Sequence, residues 1–264
     1  RPPRSTLFPY TTLFRSDHPQ STYDDQGAFG ATLYHRPLDQ KFLLSALGDE
    51  PLADTRNAAV IGYSMGGYGA LVLAGAGLAP GLQDHDLAPP HAILAAHLAA
   101  NQTPPPDALK AVLTIGPWGM GRGLWDAAGL SGIRVPLLVM AGSADDTSDY
   151  AAMRNIAAGA VNSDRHLLTF ANAGHNAAAP FPAPEESYAH SDVLGWAPFS
   201  HYADPVWDTV RMNALAQHFA AAFMDQHLKD GTAAYLDPQT AFSTDAGFTP
   251  ETKAGLTLEH WRAP

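Results

Sequence analysis

The chain has 264 residues, 46% of them hydrophobic and 16% charged, a composition that builds a sizeable core and excludes intrinsic disorder. Acidic residues number 26 against 15 basic ones, for a formal net charge of −11, which argues against nucleic acid or an anionic membrane surface as partner. There is no cysteine, which removes disulfides, thiolate metal sites and cysteine nucleophiles together, and no apolar run reaches the roughly 18–20 residues that span a bilayer.

Residues 1–16 read RPPRSTLFPYTTLFRS and show no hydrophobic periodicity. They back-translate, codon for codon, into a string that resembles a widely used short-read sequencing adapter. Such a segment is set aside before fold reasoning. Asp17 is then the first genuine residue, and 17–264 is expected to be a single, N-terminally truncated domain. On that reading localisation stays open.

Residues 37–47 (PLDQKFLLSAL) read as a helix. Pro37 suits a first turn, Asp39 suits the positive end, and Phe42, Leu43 and Leu47 share a face. Ala58–Tyr63 is a short apolar run, a buried strand, and a helix rich in small residues follows over 65–74. Residues 77–106 are punctuated by Pro and Gly, with a helix expected over 92–100. Leu109–Ile115, residues 135–140 and Arg165–Phe170 read as three further strands. Over 208–228, Val210, Leu215, Phe219 and Phe223 recur at near-helical spacing. The tail after Asp230 is weakly patterned. Strands that run as continuous apolar stretches and alternate with helices indicate a mostly parallel α/β sheet flanked by helices.

Gly62-Tyr63-Ser64-Met65-Gly66 is a G-x-S-x-G motif between a strand and a small-residue helix, the context of a nucleophile elbow. Ser64 is expected on a tight turn with strained backbone angles. Gly62 and Gly66 are expected to avoid clashes across the turn, and Gly67 and Gly69 to let the helix lie close to the sheet. The Met65 amide, at the positive helix end, is placed to donate to an oxyanion.

A hydroxyl of ordinary acidity needs a histidine to activate it and a carboxylate to orient that histidine. After the third strand comes Ala141-Gly142-Ser143-Ala144-Asp145-Asp146-Thr147, and after the fourth comes Ala173-Gly174-His175-Asn176. The order Ser, acid, His suits this fold class. His175 is the expected base. Asp145 is favoured as the acid by its spacing from Gly142, with Asp146 as the alternative. Of the other histidines, His91, His97, His218 and His227 read as packing residues, while His190 and His201 lie in a loop that could reach a substrate. No metal-ligand spacing such as HExxH is present, and Ser–His–acid chemistry requires neither metal nor cofactor.

The runs IGYSMGGYGAL (61–71), PLLVMAGSADDTSDY (136–150) and NSDRHLLTFANAGHN (162–176) resemble the α/β-hydrolase superfamily. Within it they are similar to predicted dienelactone hydrolases, platelet-activating-factor acetylhydrolases and cutinase-like esterases. The resemblance spans roughly residues 34–228. It implies a Ser64–Asp145–His175 triad, a Met65 oxyanion amide and a small-molecule carboxylic ester as substrate. True dienelactone hydrolases use a cysteine nucleophile, which this chain lacks. The family's second oxyanion amide comes from the loop after its third strand, and no HGG-type loop lies between Asp17 and Ala58. The family's first three strands are therefore expected to have been lost, and loss of the third, which pairs with the elbow strand, would leave Ala58–Tyr63 as an exposed apolar edge. Trp118, at the end of the second strand, reads either as an apolar pocket wall or as ordinary packing. A serine peptidase of prolyl-oligopeptidase type and a non-catalytic hydrolase-like module are the alternative functions.

Overall fold

The computed structural model describes residues 26–49, 56–84, 92–179, 183–192, 194–229 and 231–264. Residues 1–16, Asp17, His91 and Asp230 lie outside them. The strands are β1 (Ala58–Tyr63), β2 (Leu109–Ile115), β3 (Leu137–Gly142), β4 (Arg165–Phe170) and β5 (Leu256–Trp261). They form one sheet in the order β1-β2-β3-β4-β5. The first four are parallel, and β5 runs antiparallel to β4. The helices are α1 (Gln26–Ala46), α2 (Met65–Leu73), α3 (Ala127–Leu130), α4 (Tyr150–Gly159) and α5 (Thr209–Leu228). The architecture is mixed α/β, with a mostly parallel sheet.

Both faces of the sheet are covered, and strand periodicity divides the core between them. Val112, Leu137, Val139 and Leu167 pack with Leu33 of α1, Leu71 of α2, and Met153 and Ile156 of α4. Their sequence neighbours Leu113, Leu138, Met140 and Leu168 face Leu215, Phe219 and Phe223 of α5. Asp208 caps α5, its side chain accepting from the Arg211 amide at 2.8 Å. Val210, expected on the buried face of this helix, is 75% exposed. It lies in the first turn, before the helix meets the sheet.

Strand β3 falls at 137–142 rather than 135–140, because Pro136 cannot donate to the ladder. Residues 92–97 form a short 3-10 helix, not the longer helix expected there. Three elements were not anticipated: the one-turn helix α3, which Asp126 caps by accepting from the Gly129 amide, α4 and β5. In α4, alanines dilute the apolar stripe of Ala152, Met153, Ile156 and Ala157, although Asp149 caps it by accepting from Ala151 and Ala152. Strand β5 carries Thr257, Glu259 and His260, a polar pattern suited to an edge. It is held by Arg154, whose Nη2 donates to Glu259 Oε2 at 2.8 Å.

Pro37 stands in the middle of α1, not in its first turn. Proline has no amide hydrogen, so the carbonyl four residues earlier, that of Leu33, loses its helical donor. The buried Tyr68 hydroxyl donates to that carbonyl at 2.9 Å. The next carbonyl, of Tyr34, accepts from His97 Nε2 at 2.7 Å. A helix broken in its own ladder is thus tied to α2 and to the 92–97 turn. The side of α1 expected to be apolar and buried is instead open: Phe42 is 68% and Leu43 53% exposed.

Near the start of β4, His166 stacks on His260 of β5 with ring centroids 4.0 Å apart. His260 Nε2 donates to Asp164 Oδ1 at 2.7 Å. Burial, with His260 adding to it, pushes His166 down to about 4 from the ordinary 6.5.

Two predictions follow from these contacts. Tyr68→Phe leaves the Leu33 carbonyl buried without a donor and costs about 1–3 kcal/mol. In a Pro37→Ala background the restored amide takes that carbonyl, and urea unfolding should show a smaller cost; an equal cost in both backgrounds would contradict the pairing. For His166 the folded value is depressed, so the unfolded chain takes up the proton first. Its neutral form contributes full stability above pH 6.5, and this is lost as pH falls toward 4, by up to about 3 kcal/mol. Urea midpoints between pH 7 and pH 4 should therefore fall less steeply in His166→Leu than in the wild type.

Candidate active site

Strand β1 delivers Ser64 to the edge of the sheet where the parallel strands end. Its backbone sits at φ 53°, ψ −117°, the left-handed side of conformational space that a side chain disfavours. The turn is fixed from both directions. Ser64 N donates to the Ile115 carbonyl at 2.9 Å, and its own carbonyl accepts from Trp118 N at 3.1 Å and Tyr68 N at 3.2 Å. A Cβ on Gly62 would stand 2.3 Å from the Gly66 carbonyl oxygen and 2.7 Å from Gly67 N. The expected role of Gly66 itself is corrected: a Cβ there meets nothing within 4 Å. Gly67 lies against Pro117, whereas Gly69 faces Arg36 and Gln40 of α1 and not the sheet.

The histidine arrives on the loop after β4. His175 Nε2 lies 3.0 Å from Ser64 Oγ, and Nδ1 lies 2.8 Å from Asp145 Oδ2. An ionised carboxylate only accepts, so Nδ1 carries the hydrogen and Nε2 is left to accept from the Ser64 hydroxyl. Asp145 is buried. Its second oxygen accepts from Thr147 N at 2.8 Å and Ser148 N at 2.9 Å. Asp146 is exposed, with its Oδ1 3.5 Å from Thr147 Oγ1. Of the two candidate carboxylates, the structure brings Asp145 to His175.

Residues that the motifs did not single out complete the surroundings. Ser148 Oγ donates to the Gly116 carbonyl at 2.8 Å and stands 3.5 Å from His175 Nδ1. The Tyr63 ring packs 5.3 Å from the imidazole. Its hydroxyl lies 3.2 Å from Asn176 Oδ1 and 3.3 Å from the His175 carbonyl. Tyr63 directly precedes Ser64 and Ser148 lies three residues past Asp145, which was the available signal. Met65 opens α2 directly after Ser64, so its amide is one of the four at a helix start without a helical acceptor. Trp118 meets the nucleophile turn through its backbone, while its ring is partly buried against the core cluster on the α2 side of the sheet. His201 packs edge-on against Trp196 at 4.7 Å, and His190 is exposed. His97 is buried and His218 and His227 are half-buried, and this desolvation lowers all three from the ordinary histidine value.

Among the described residues, no three His, Asp or Glu side chains converge as a metal site. No described helix is long and apolar enough to cross a membrane. No protein-family model and no curated protein matches the chain. Its description therefore rests on the mixed α/β architecture and on the geometry of these side chains.

The two glycines of the turn should behave oppositely. Gly62→Ala forces backbone apart and should cost more than about 4 kcal/mol or prevent folding. Gly66→Ala meets open space at the start of α2 and should be neutral or stabilising by up to about 1 kcal/mol. Thermal melts of the two variants decide this; equal midpoints would contradict the close approach.

Proposed function

We propose that the protein is a serine hydrolase of the α/β-hydrolase type that cleaves carboxylic esters through an acyl-enzyme intermediate. The observation that carries this reading is the unbroken line from Ser64 Oγ to His175 Nε2 at 3.0 Å and from Nδ1 to Asp145 Oδ2 at 2.8 Å. It begins at a residue held in a strained turn. Strain persists in a fold only where the surroundings over-determine it, and it gathers at functional positions.

In the reaction, Ser64 Oγ attacks the ester carbonyl carbon as His175 Nε2 takes the hydroxyl proton. Asp145 keeps the imidazole in the required tautomer and stabilises the imidazolium. The Met65 amide donates to the oxyanion of the tetrahedral intermediate. Collapse breaks the ester C–O bond, and the proton on His175 passes to the departing alcohol. Water then attacks the acyl-enzyme by the same route, giving the acid and restoring Ser64. The resemblance of the three sequence runs to esterases supports an ester as the substrate.

Treatment with a fluorescent fluorophosphonate tests the reading. The folded wild-type chain should label, while Ser64→Ala and His175→Ala should not. Asp145→Asn should lower ester turnover by about 10⁴-fold through the wrong tautomer. Asp146→Asn, on the surface, should stay within about 2-fold of wild type. A folded wild-type chain that neither labels nor cleaves activated esters overturns the proposal, and loss of activity in Asp146→Asn alone reassigns the acid.

A further inference from the structure

The loop that carries His175 is strained on both sides of it. Asn172 sits at φ 60° and Ala178 at φ 58°, backbone conformations that disfavour non-glycine residues and need outside support. Besides the bond from Asn172 N to Ser143 Oγ at 2.7 Å, three bonds of that support come from one segment about thirty residues further along the chain. Trp207 Nε1 donates to the Ala171 carbonyl at 2.8 Å. Asn176 Nδ2 donates to the Ala203 carbonyl at 2.8 Å. Between these two bonds, the Gly174 amide donates to Asp204 Oδ2 at 2.7 Å. The other oxygen of Asp204 accepts from Val206 N at 2.9 Å and Trp207 N at 2.8 Å. One carboxylate thus joins the residue immediately before His175 to the turn that seats Trp207. Trp207 is itself buried, with its ring 5.3 Å from Phe170.

A carboxylate is suited to this place because it offers acceptors only and binds amides more strongly than a neutral group does. An asparagine could serve the Val206–Trp207 turn with its oxygen. Its NH₂ would then face the Gly174 N–H, donor against donor. The main chain before His175 would lose its anchor while the local turn survived.

We propose that Asp204 is the positioning residue of the histidine loop, setting His175 Nε2 against Ser64 Oγ through the Gly174 amide. The proposal rests on the hydrolase reading above and gives a function to a residue outside the triad. Asp204 touches none of the reacting atoms; it acts through the loop.

The test uses the full chain with Asp204→Asn and Asp204→Ser. A serine hydroxyl keeps an acceptor for the local turn but is too short to reach Gly174 as well. Asp208→Ala is the control, since Asp208 caps α5 through the Arg211 amide in the same region and alanine removes that cap. Three quantities are read: the fluorophosphonate labelling rate, kcat and KM on an activated ester, and the downfield NMR resonance of the His175 Nδ1 hydrogen. Both Asp204 variants should lose about 10- to 100-fold in labelling rate and kcat, the scale of a small misplacement of reacting groups. KM should be unchanged, and the resonance shifted or lost. The control should lower the melting temperature while leaving rates and resonance as in wild type. Folded Asp204 variants with wild-type rates and an unmoved resonance overturn the proposal, as does an equal loss in the control. A wild-type chain that does not label removes the hydrolase reading instead. The resonance then still decides the loop: unmoved in both Asp204 variants, it overturns the positioning role as well.

Discussion

The backbone of Ser64 is the constraint on which the arrangement at this edge of the sheet depends. Holding a serine at φ 53° costs on the order of 1–3 kcal/mol, and several neighbours share the work. The parallel register sets Tyr63 opposite Ile115, so the Ile115 carbonyl is in place to receive the Ser64 amide. Gly62 removes the side chain that would otherwise strike the first turn of α2. Gly116, just beyond β2, has a φ of 52°, and a Cβ there would approach the His175 ring to 3.3 Å. Bare backbone at the end of β2 therefore leaves the room in which Ser64 and His175 meet.

The acid and the base do not arrive independently. A Cβ on Gly142 would lie 2.3 Å from the carbonyl oxygens of both Ala173 and Gly174. Ala144 N donates to the Ala173 carbonyl at 2.9 Å, and Asn172 N donates to Ser143 Oγ at 2.7 Å. The loops after β3 and β4 are consequently sewn together before either reaches Ser64. Adjacent parallel strands deliver successive loops to one edge of a sheet, which is why ligands gather there in open α/β folds. In this chain that topology turns three segments, 62–66, 142–148 and 173–176, into one site.

Those three segments were legible in the sequence because each couples a strand end to glycine and to a residue with chemistry. The strands β1 and β2 were equally plain as nearly continuous apolar runs and β4 as a shorter one, although β2 and β4 are buried along almost their whole length whereas β1 is only partly buried. Less was readable where a contact crosses the fold. Nothing near Asp204 announces that it serves residue 174, since its other two bonds make an ordinary local turn. Pro37 was misplaced for a related reason. A proline inside a helix is disfavoured until another element supplies the missing donor, and Tyr68 and His97 lie far away in sequence. The role expected of Gly66 failed because spacing alone does not say which of two glycines faces the other's backbone. Strand β5 was hidden by the polarity that an edge strand requires.

The same edge logic bears on the nucleophile. Among the described residues β1 pairs only with β2, so Ser64 stands at the end of a strand held in the sheet from one side. A second support is helical. Gln40 Nε2 of α1 lies 3.3 Å from the Gly66 carbonyl, close to the Tyr68–Leu33 bond between α2 and α1. Thus α1 acts as a brace on the helix that Ser64 initiates. Phe42 and Leu43 stay exposed beyond the brace, and Ile61 is 46% exposed on β1 itself. Exposed apolar side chains on an edge strand or an open helix face are surfaces prone to association. The bonds from α1 reach α2 directly after Ser64, so they add to the β1–β2 pairing in holding the Ser64 geometry. Loosening α1 is therefore expected to disturb Ser64 before it disturbs Asp145 or His175, whose loops are fixed to each other at β3 and β4.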